Sequence, residues 1–465
     1  MSKENEFIKN TIILLLGKFS TQIVSFLLLP LYTYKLSTSD YGYVDLAQTY
    51  ISLLVPILLL QLDSGVFRYL IDIRKNEENK KKIIASSFYC ICTIIFIIIM
   101  IIIIIKKYIE INYFYSIMLN IFILVLNMYM MSIARGNGNN KHYAISSCIM
   151  ASLNLIINAI LIINFKYNAE SILISASISN AISLIYIFFV EKVYKYIKIK
   201  YIDLEKLKEL LKYSIPMIPN ALSWWIVGLS DRTIIVNLLN VSANGIYSIA
   251  CKFSNLLNSV FSIFSMSWQE TASLHINDDD AGKFFSKMIT NIFNFFVIIS
   301  CIIVGILPLM FNVVIGAEYK ESYNYIPILL LGNIFNVLVG LLGGIYVAKK
   351  MTKKVAMTTI GSAIFNIIIN LIFIRKIGLY AACLSTVIAY FIMSIYRYHD
   401  IKKYLDMTIS IRKCGKYLTG FVIILLPYYY ELKYISIIML IIICIIYTIE
   451  NRDIIIKTIK KIKKK

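Results

Sequence analysis

Asp231 and Arg232 stand side by side in the stretch SWWIVGLSDRTIIVNLL, Ser223–Leu239. Without them it reads as a buried membrane helix. A charge at the centre of such a helix costs about 2.5–3.5 kcal/mol on insertion, so two in a row ask for a use. Ionisable residues inside a membrane mark a substrate path, an ion path or an internal pair. Arginine brings a planar fork of donors that matches the oxygens of a phosphate or a carboxylate. Neighbouring helical residues point about 100° apart, because a turn holds 3.6 residues. The two therefore cannot serve one face. The other cations expected inside helices are Lys18, Arg68 and Lys252, and the other acids are Asp45, Asp63 and Glu270. The signs balance, so counting alone does not make a cationic cavity.

Local pairing is the simpler use of these charges. Lys252 and Asp231 lie at nearly equal depth on either side of one outer turn, and Asp231 is expected to neutralise Lys252. Lys18 and Asp63 stand at matching depth in the first hairpin. Arg232 is then left without an obvious local partner, and Arg68 snorkels towards the inner face. This ranks Arg232 first for substrate contact, Lys252 and Lys18 next, and Arg68 last. Asp231, Asp63, Glu270 and Asp45 are structural or coupling acids. Trp224 and Trp225 are read as packing or interfacial residues.

The elements that must carry these groups follow from composition. Of 465 residues 59% are hydrophobic, and the mean hydropathy is +0.75. Apolar blocks of about 20 residues match a hydrocarbon core of about 30 Å, so the chain is an all-α polytopic membrane protein. Fourteen transmembrane helices are expected, at 10–34, 43–71, 83–105, 111–134, 143–165, 169–190, 213–239, 245–272, 288–311, 325–348, 355–374, 377–396, 417–430 and 434–449. The first block is too long for a cleavable signal. Pro427 and the turn at Glu431–Lys433 split the last apolar stretch in two.

Loop charge orients them. Thirty-five Lys and Arg fall on the side of the termini and eight on the other. By the positive-inside rule both termini are cytoplasmic. The net charge of +21 is then a cytoplasmic rim facing anionic lipid headgroups, and nucleic acid is not a partner. The linker 201–214 and the tail from Asp453 are amphipathic and suit a membrane surface.

The segment 144–162, AISSCIMASLNLIINAILI, resembles 356–374, AMTTIGSAIFNIIINLIFI, with Asn154 and Asn158 matching Asn366 and Asn370. Interhelical hydrogen bonding is the ordinary use of such amides, at about 0.6 kcal/mol each. Six helices per copy keep both copies in one orientation. The expectation is two parallel-repeat six-helix bundles around a central cavity plus two C-terminal helices. The domains are 1–190, a linker 191–212, a second bundle 213–399 and an appendage 400–465.

Several chemistries lack their motifs. No GxxxxGK[ST] loop is present. The eight cysteines fit no zinc spacing, and no metal site is expected. His142, His275 and His399 are assigned to cytoplasmic loops. A transporter is favoured over an enzyme.

The stretch LSDRTIIVNLLNVSANGIYSIACKFSNLL, 229–257, carries a family resemblance. With Asp231, Arg232, Gly245, Tyr247, Ser248, Lys252 and Phe253 it resembles the Wzx-type polysaccharide flippases of the MATE-like exporter superfamily. FLLLPLYTYKLSTSDYG (26–42), SIPMIPNAL (214–222) and Trp268 resemble the same family's landmarks. Many such flippases have twelve helices where fourteen are expected here. The resemblance implies an undecaprenyl-diphosphate-linked oligosaccharide as substrate, moved from inner to outer leaflet by alternating access through a cationic cavity, for capsule, O-antigen or another surface polysaccharide. It implies no cofactor beyond an H⁺ or Na⁺ coupling ion, and a glycan polymerase and glycosyltransferases as functional neighbours. The rivals are a MATE-type cation-coupled drug exporter, a membrane glycan polymerase and a lipid scramblase.

Overall fold

The computed structural model describes residues 21–106, 110–165 and 168–452, and every regular element among them is helical. By internal contacts the chain forms two units, Met1–Thr233 and Ile234–Lys465. The first holds α1 (21–35), α2 (Thr38–Leu58), α3 (Leu62–Asp72), α4 (Glu77–Lys106), α5 (Phe114–Gly136), α6 (Asn140–Ile163), α7 (Glu170–Val190), α8 (Leu204–Ser214) and most of α9 (Ile218–Leu238). The second holds α10 (Val241–His275), α11 (Ala281–Val314), α12 (Ile326–Ala348), α13 (Thr352–Ile377), α14 (Leu379–Ile401), α15 (Ile411–Tyr429) and α16 (Lys433–Glu450).

Helix stands at each expected position, as far as the described residues reach. The expected helix 43–71 is broken into α2 and α3, which meet at 49°. Pro56 removes one backbone donor. Leu60 and Gln61 then take left-handed φ of 48° and 55°, at a cost of about 1 kcal/mol or more each for residues with a Cβ. Among the described residues nine helices are long and apolar enough to cross a membrane, or ten if the bent α2–α3 pair is one span. The protein is a multi-pass membrane protein.

Small polar residues set the packing of the first unit. Ser171, Ser175, Ser177, Ser179, Asn180 and Ser183 form a buried stripe along α7. They let α5 and α6 approach closely and hydrogen-bond across the contacts, as small residues do in membrane bundles. Asn127 Nδ2 donates to Asn180 at 2.8 Å, Ser183 donates to Asn127 at 3.0 Å, and Ser146 and Ser183 hydroxyls meet at 2.6 Å. Asn158 Nδ2 donates to Ser175 at 2.7 Å and to the Tyr32 hydroxyl at 2.8 Å.

The second unit uses missing side chains instead. A Cβ on Gly344 would stand 2.6 Å from the Trp268 ring, and one on Gly343 would stand 2.8 Å from Arg397 Nη1. Those glycines let α10 and α14 seat side chains on the backbone of α12. Trp268 Nε1 donates to Leu341 O at 2.8 Å. Asn366 Nδ2 donates to Ser385 on α14 at 3.2 Å, as its repeat partner's neighbour Asn158 does to α7. Tyr323 and Tyr428 stack at 4.1 Å and exchange hydroxyl-to-carbonyl hydrogen bonds of 3.0 and 2.7 Å, which pins the end of α15 to the segment before α12.

The linker is ordered. Asp203 caps α8, accepting from the Glu205 and Lys206 amides at 3.1 Å each. The Lys206 amide leads in holding the Asp203 carboxyl below the usual carboxylate range. Ser86 of α4 donates to Asp203 O at 3.0 Å and accepts from Asp203 N at 2.8 Å.

Candidate functional site

Arg232 has a partner after all. Its Nε donates to Asp45 Oδ2 at 2.7 Å, joining α9 to α2 across 187 residues of sequence. Both side chains are about nine-tenths covered, at 9% and 10% exposed. The expectation is that Arg232 has no obvious local partner, and the partner it has is distant in sequence. The reason is physical: depth along one hairpin pairs only neighbouring helices, while the α2 face that meets α9 is distant in sequence. Two turns earlier on α9, Trp225 Nε1 donates to Thr49 O at 2.9 Å, and its ring lies 6.4 Å from that of Tyr50. Asp45 and Thr49 are one turn apart on α2, so the two helices are latched at two levels, running antiparallel. Trp225 is thus more than an interfacial ring.

A buried charge pair of this kind holds only while both members are present. Removing one leaves an uncompensated charge, at a cost of about 3–5 kcal/mol. The guanidinium also suits other oxygen anions, since it presents five donors in a fixed fork. A phosphate oxygen offers this fork the same kind of acceptor as the Asp45 carboxylate.

The remaining expected site residues that are described lie on α3, α9 and α10. Asp231 is buried beside Arg232 on α9. Asp63 of α3 has its Oδ1 buried with no hydrogen-bond partner among the described residues. Arg68 forms an exposed i,i+4 pair with Asp72 at 2.6 Å, in keeping with a role at the surface. Lys252 is half-buried and Glu270 exposed, both on α10 of the second unit. Lys18 lies outside the described residues.

Other charged groups were misplaced by helix ends drawn too short. Arg135 lies inside α5, with its guanidinium 4.5 Å over the Phe67 ring. Arg397, assigned to the loop 397–416, is buried inside α14. His142 and His399 lie within α6 and α14, and His275 ends α10. His142 Nδ1 is 2.6 Å from Glu191 Oε1. Polar residues in a last turn look like loop in sequence, and only their buried partners reveal helix.

Comparison with known proteins gives the family and the fold. A model of the family described as polysaccharide biosynthesis protein matches residues 7–268. The lipid II flippase MurJ, in an inward closed conformation, superposes with a TM-score of 0.72 and 18% identity, covering 96% of this chain and 100% of that one. An inward-facing multidrug resistance MATE family transporter of the MOP superfamily gives 0.67 and 12%, covering 84% and 98%. A variant of the Vibrio cholerae MATE transporter VcmN gives 0.59 and 10%, covering 86% and 96%. At these identities the likeness shows the fold. No curated protein matches the chain.

Proposed function

The chain belongs to the polysaccharide biosynthesis protein family, and we propose that it is a flippase for undecaprenyl-diphosphate-linked oligosaccharide repeat units. It moves them from the inner to the outer leaflet of a bacterial plasma membrane by alternating access. The surface polymer served is a capsule, an O-antigen or a related glycan. Fourteen crossings with both termini cytoplasmic, and a parallel pair of six-helix bundles with a cavity, belong to the same reading. The observation that carries it is the buried Arg232–Asp45 pair, inside the span that matches the family. The fold shared with a lipid II flippase adds support.

Arg232 is the anion receptor and Asp45 its resident counter-charge. A diphosphate arriving at the fork displaces Asp45, which unlatches α9 from α2 while the guanidinium stays neutralised. Leaving of the diphosphate restores the latch. Exchange keeps the guanidinium neutralised while the freed Asp45 carboxylate takes up a proton or water, and it couples occupancy to helix movement.

The test uses the full chain in proteoliposomes loaded with a fluorescent undecaprenyl-diphosphate oligosaccharide, reading how much sugar becomes accessible outside. Arg232→Ala should abolish translocation with insertion intact. Arg232→Lys keeps charge without the fork and should retain part. Normal translocation by Arg232→Ala would sink the proposal.

A MATE-type cation-coupled exporter has one observation in its favour, the buried unbonded oxygen of Asp63. Proton- or sodium-driven efflux of an organic cation that Asp63→Asn abolishes, with no sugar-lipid movement, would select that reading.

A further inference from the structure

The second unit holds a polar cleft of about 400 Å³ with three lysines in its wall, Lys283, Lys287 and Lys413. We infer that it binds the phosphate of an anionic phospholipid headgroup. The inference does not depend on what the protein transports.

The cleft is built by an extended segment laid along α11. Positions 282, 286 and 290 recur at one-turn spacing, and 406, 408 and 410 recur at two-residue spacing. Thr408 N donates to Ser286 Oγ at 2.8 Å, and Ser410 N donates to Thr290 Oγ1 at 3.4 Å. A Cβ on Gly282 would meet Asp406 O at 1.8 Å, so only glycine admits this contact. Ser286 and Thr290 spend their own protons on α11 carbonyls, Gly282 O and Ser286 O. The hydroxyls therefore fix the wall, and the three ammoniums remain to meet a ligand.

Those ammoniums are exposed. Among the described residues none of the three joins an ion pair. Glu450, which acts on Lys413 through space, is itself paired with Lys416. Asp406 is the one acid in the wall, so the cleft is cationic on balance. Lys413 sits in the first turn of α15, at the positive end of that helix's dipole.

Depth favours a lipid as the source of the phosphate. α11 has 34 residues, about 50 Å at 1.5 Å per residue, against a hydrocarbon core of about 30 Å. Its predominantly apolar part starts after Asn294, which leaves Lys283 and Lys287 at headgroup level. Beside Lys413, Ile411 is 79% exposed, an apolar side chain suited to acyl chains next to a cationic cleft.

Native mass spectrometry of the full chain, titrated with phosphatidylglycerol or phosphatidylcholine, tests this. Wild type should prefer phosphatidylglycerol. Each lysine near an anionic surface contributes about fivefold, so Lys283→Gln with Lys287→Gln and Lys413→Gln should weaken the tightest site on the order of a hundredfold. The matched control, Lys192→Gln with Lys195→Gln and Lys198→Gln, removes equal charge from the first unit and should bind as wild type. Arginine at all three cleft positions should preserve binding and guards against a folding defect. If the glutamine triple folds poorly, Lys287→Gln alone should still lose about fivefold. Unchanged phosphatidylglycerol binding in the glutamine variants, equal loss in the control, or loss in a folded arginine variant would overturn the site. Displacement of the lipid by millimolar inorganic phosphate would overturn the lipid as its occupant.

Discussion

In the first unit Glu191, just past α7, ties down the turn between α5 and α6. It accepts from Asn137 Nδ2 at 2.9 Å and Asn139 Nδ2 at 2.8 Å, with His142 Nδ1 at 2.6 Å. In the second unit Asp400, in the last turn of α14, ties down the turn between α12 and α13. It accepts from Tyr346 at 2.9 Å and from Lys354 Nζ at 2.6 Å. The position in each unit corresponds, and the chemistry differs. Glu191 is 2% exposed and held mainly by neutral amides. Asp400 has a partly exposed ammonium, and one turn before it Arg397 reaches Val339 O at 2.9 Å, Val355 O at 3.2 Å and the Thr358 hydroxyl at 2.7 Å. A topological clasp can thus be kept while its charges are redistributed. What is preserved is that the buried carboxylate finds donors.

The comparison makes an order of effects. Arg397→Met should be the most damaging, because it strips donors from several buried oxygens at once. The expected loss is about 3 kcal/mol or more, read as a large fall in the melting temperature of the detergent-solubilised protein. A wild-type melting temperature would remove Arg397 from the account of the second unit. Glu191→Gln keeps shape and loses the charge that three donors serve, for about 1.5–3 kcal/mol. Asp400→Asn should cost less, because Lys354 can turn to water. If Asp400→Asn proved worse than Glu191→Gln, the contrast between the two clasps would be reversed. Lys354→Gln should give the smallest shift, close to wild type, since Tyr346 still donates to the carboxylate.

The asparagines were legible early because they repeat, and their partners on α7 and α14 are local to one hairpin. Asp45 was legible as a charge inside a helix, but not as the partner of Arg232. Arg135 and Arg397 were hidden by boundaries, since a polar last turn has the composition of a loop. The α2–α3 break carried one clue, Pro56. The left-handed pair Leu60–Gln61 carried none, because neither residue type favours that backbone.

The amino-acid sequence alone determined the helices and their approximate limits. Hydrocarbon thickness sets the length of an apolar run, and backbone hydrogen bonding without water forces that run into helix. Both constraints are local, so a window of about 20 residues contains them. Tertiary structure alone decided which charges meet. Arg232 and Asp45 are 187 residues apart, and their contact depends on the faces that α9 and α2 turn to one another. Helical period constrains a face but does not name its neighbour.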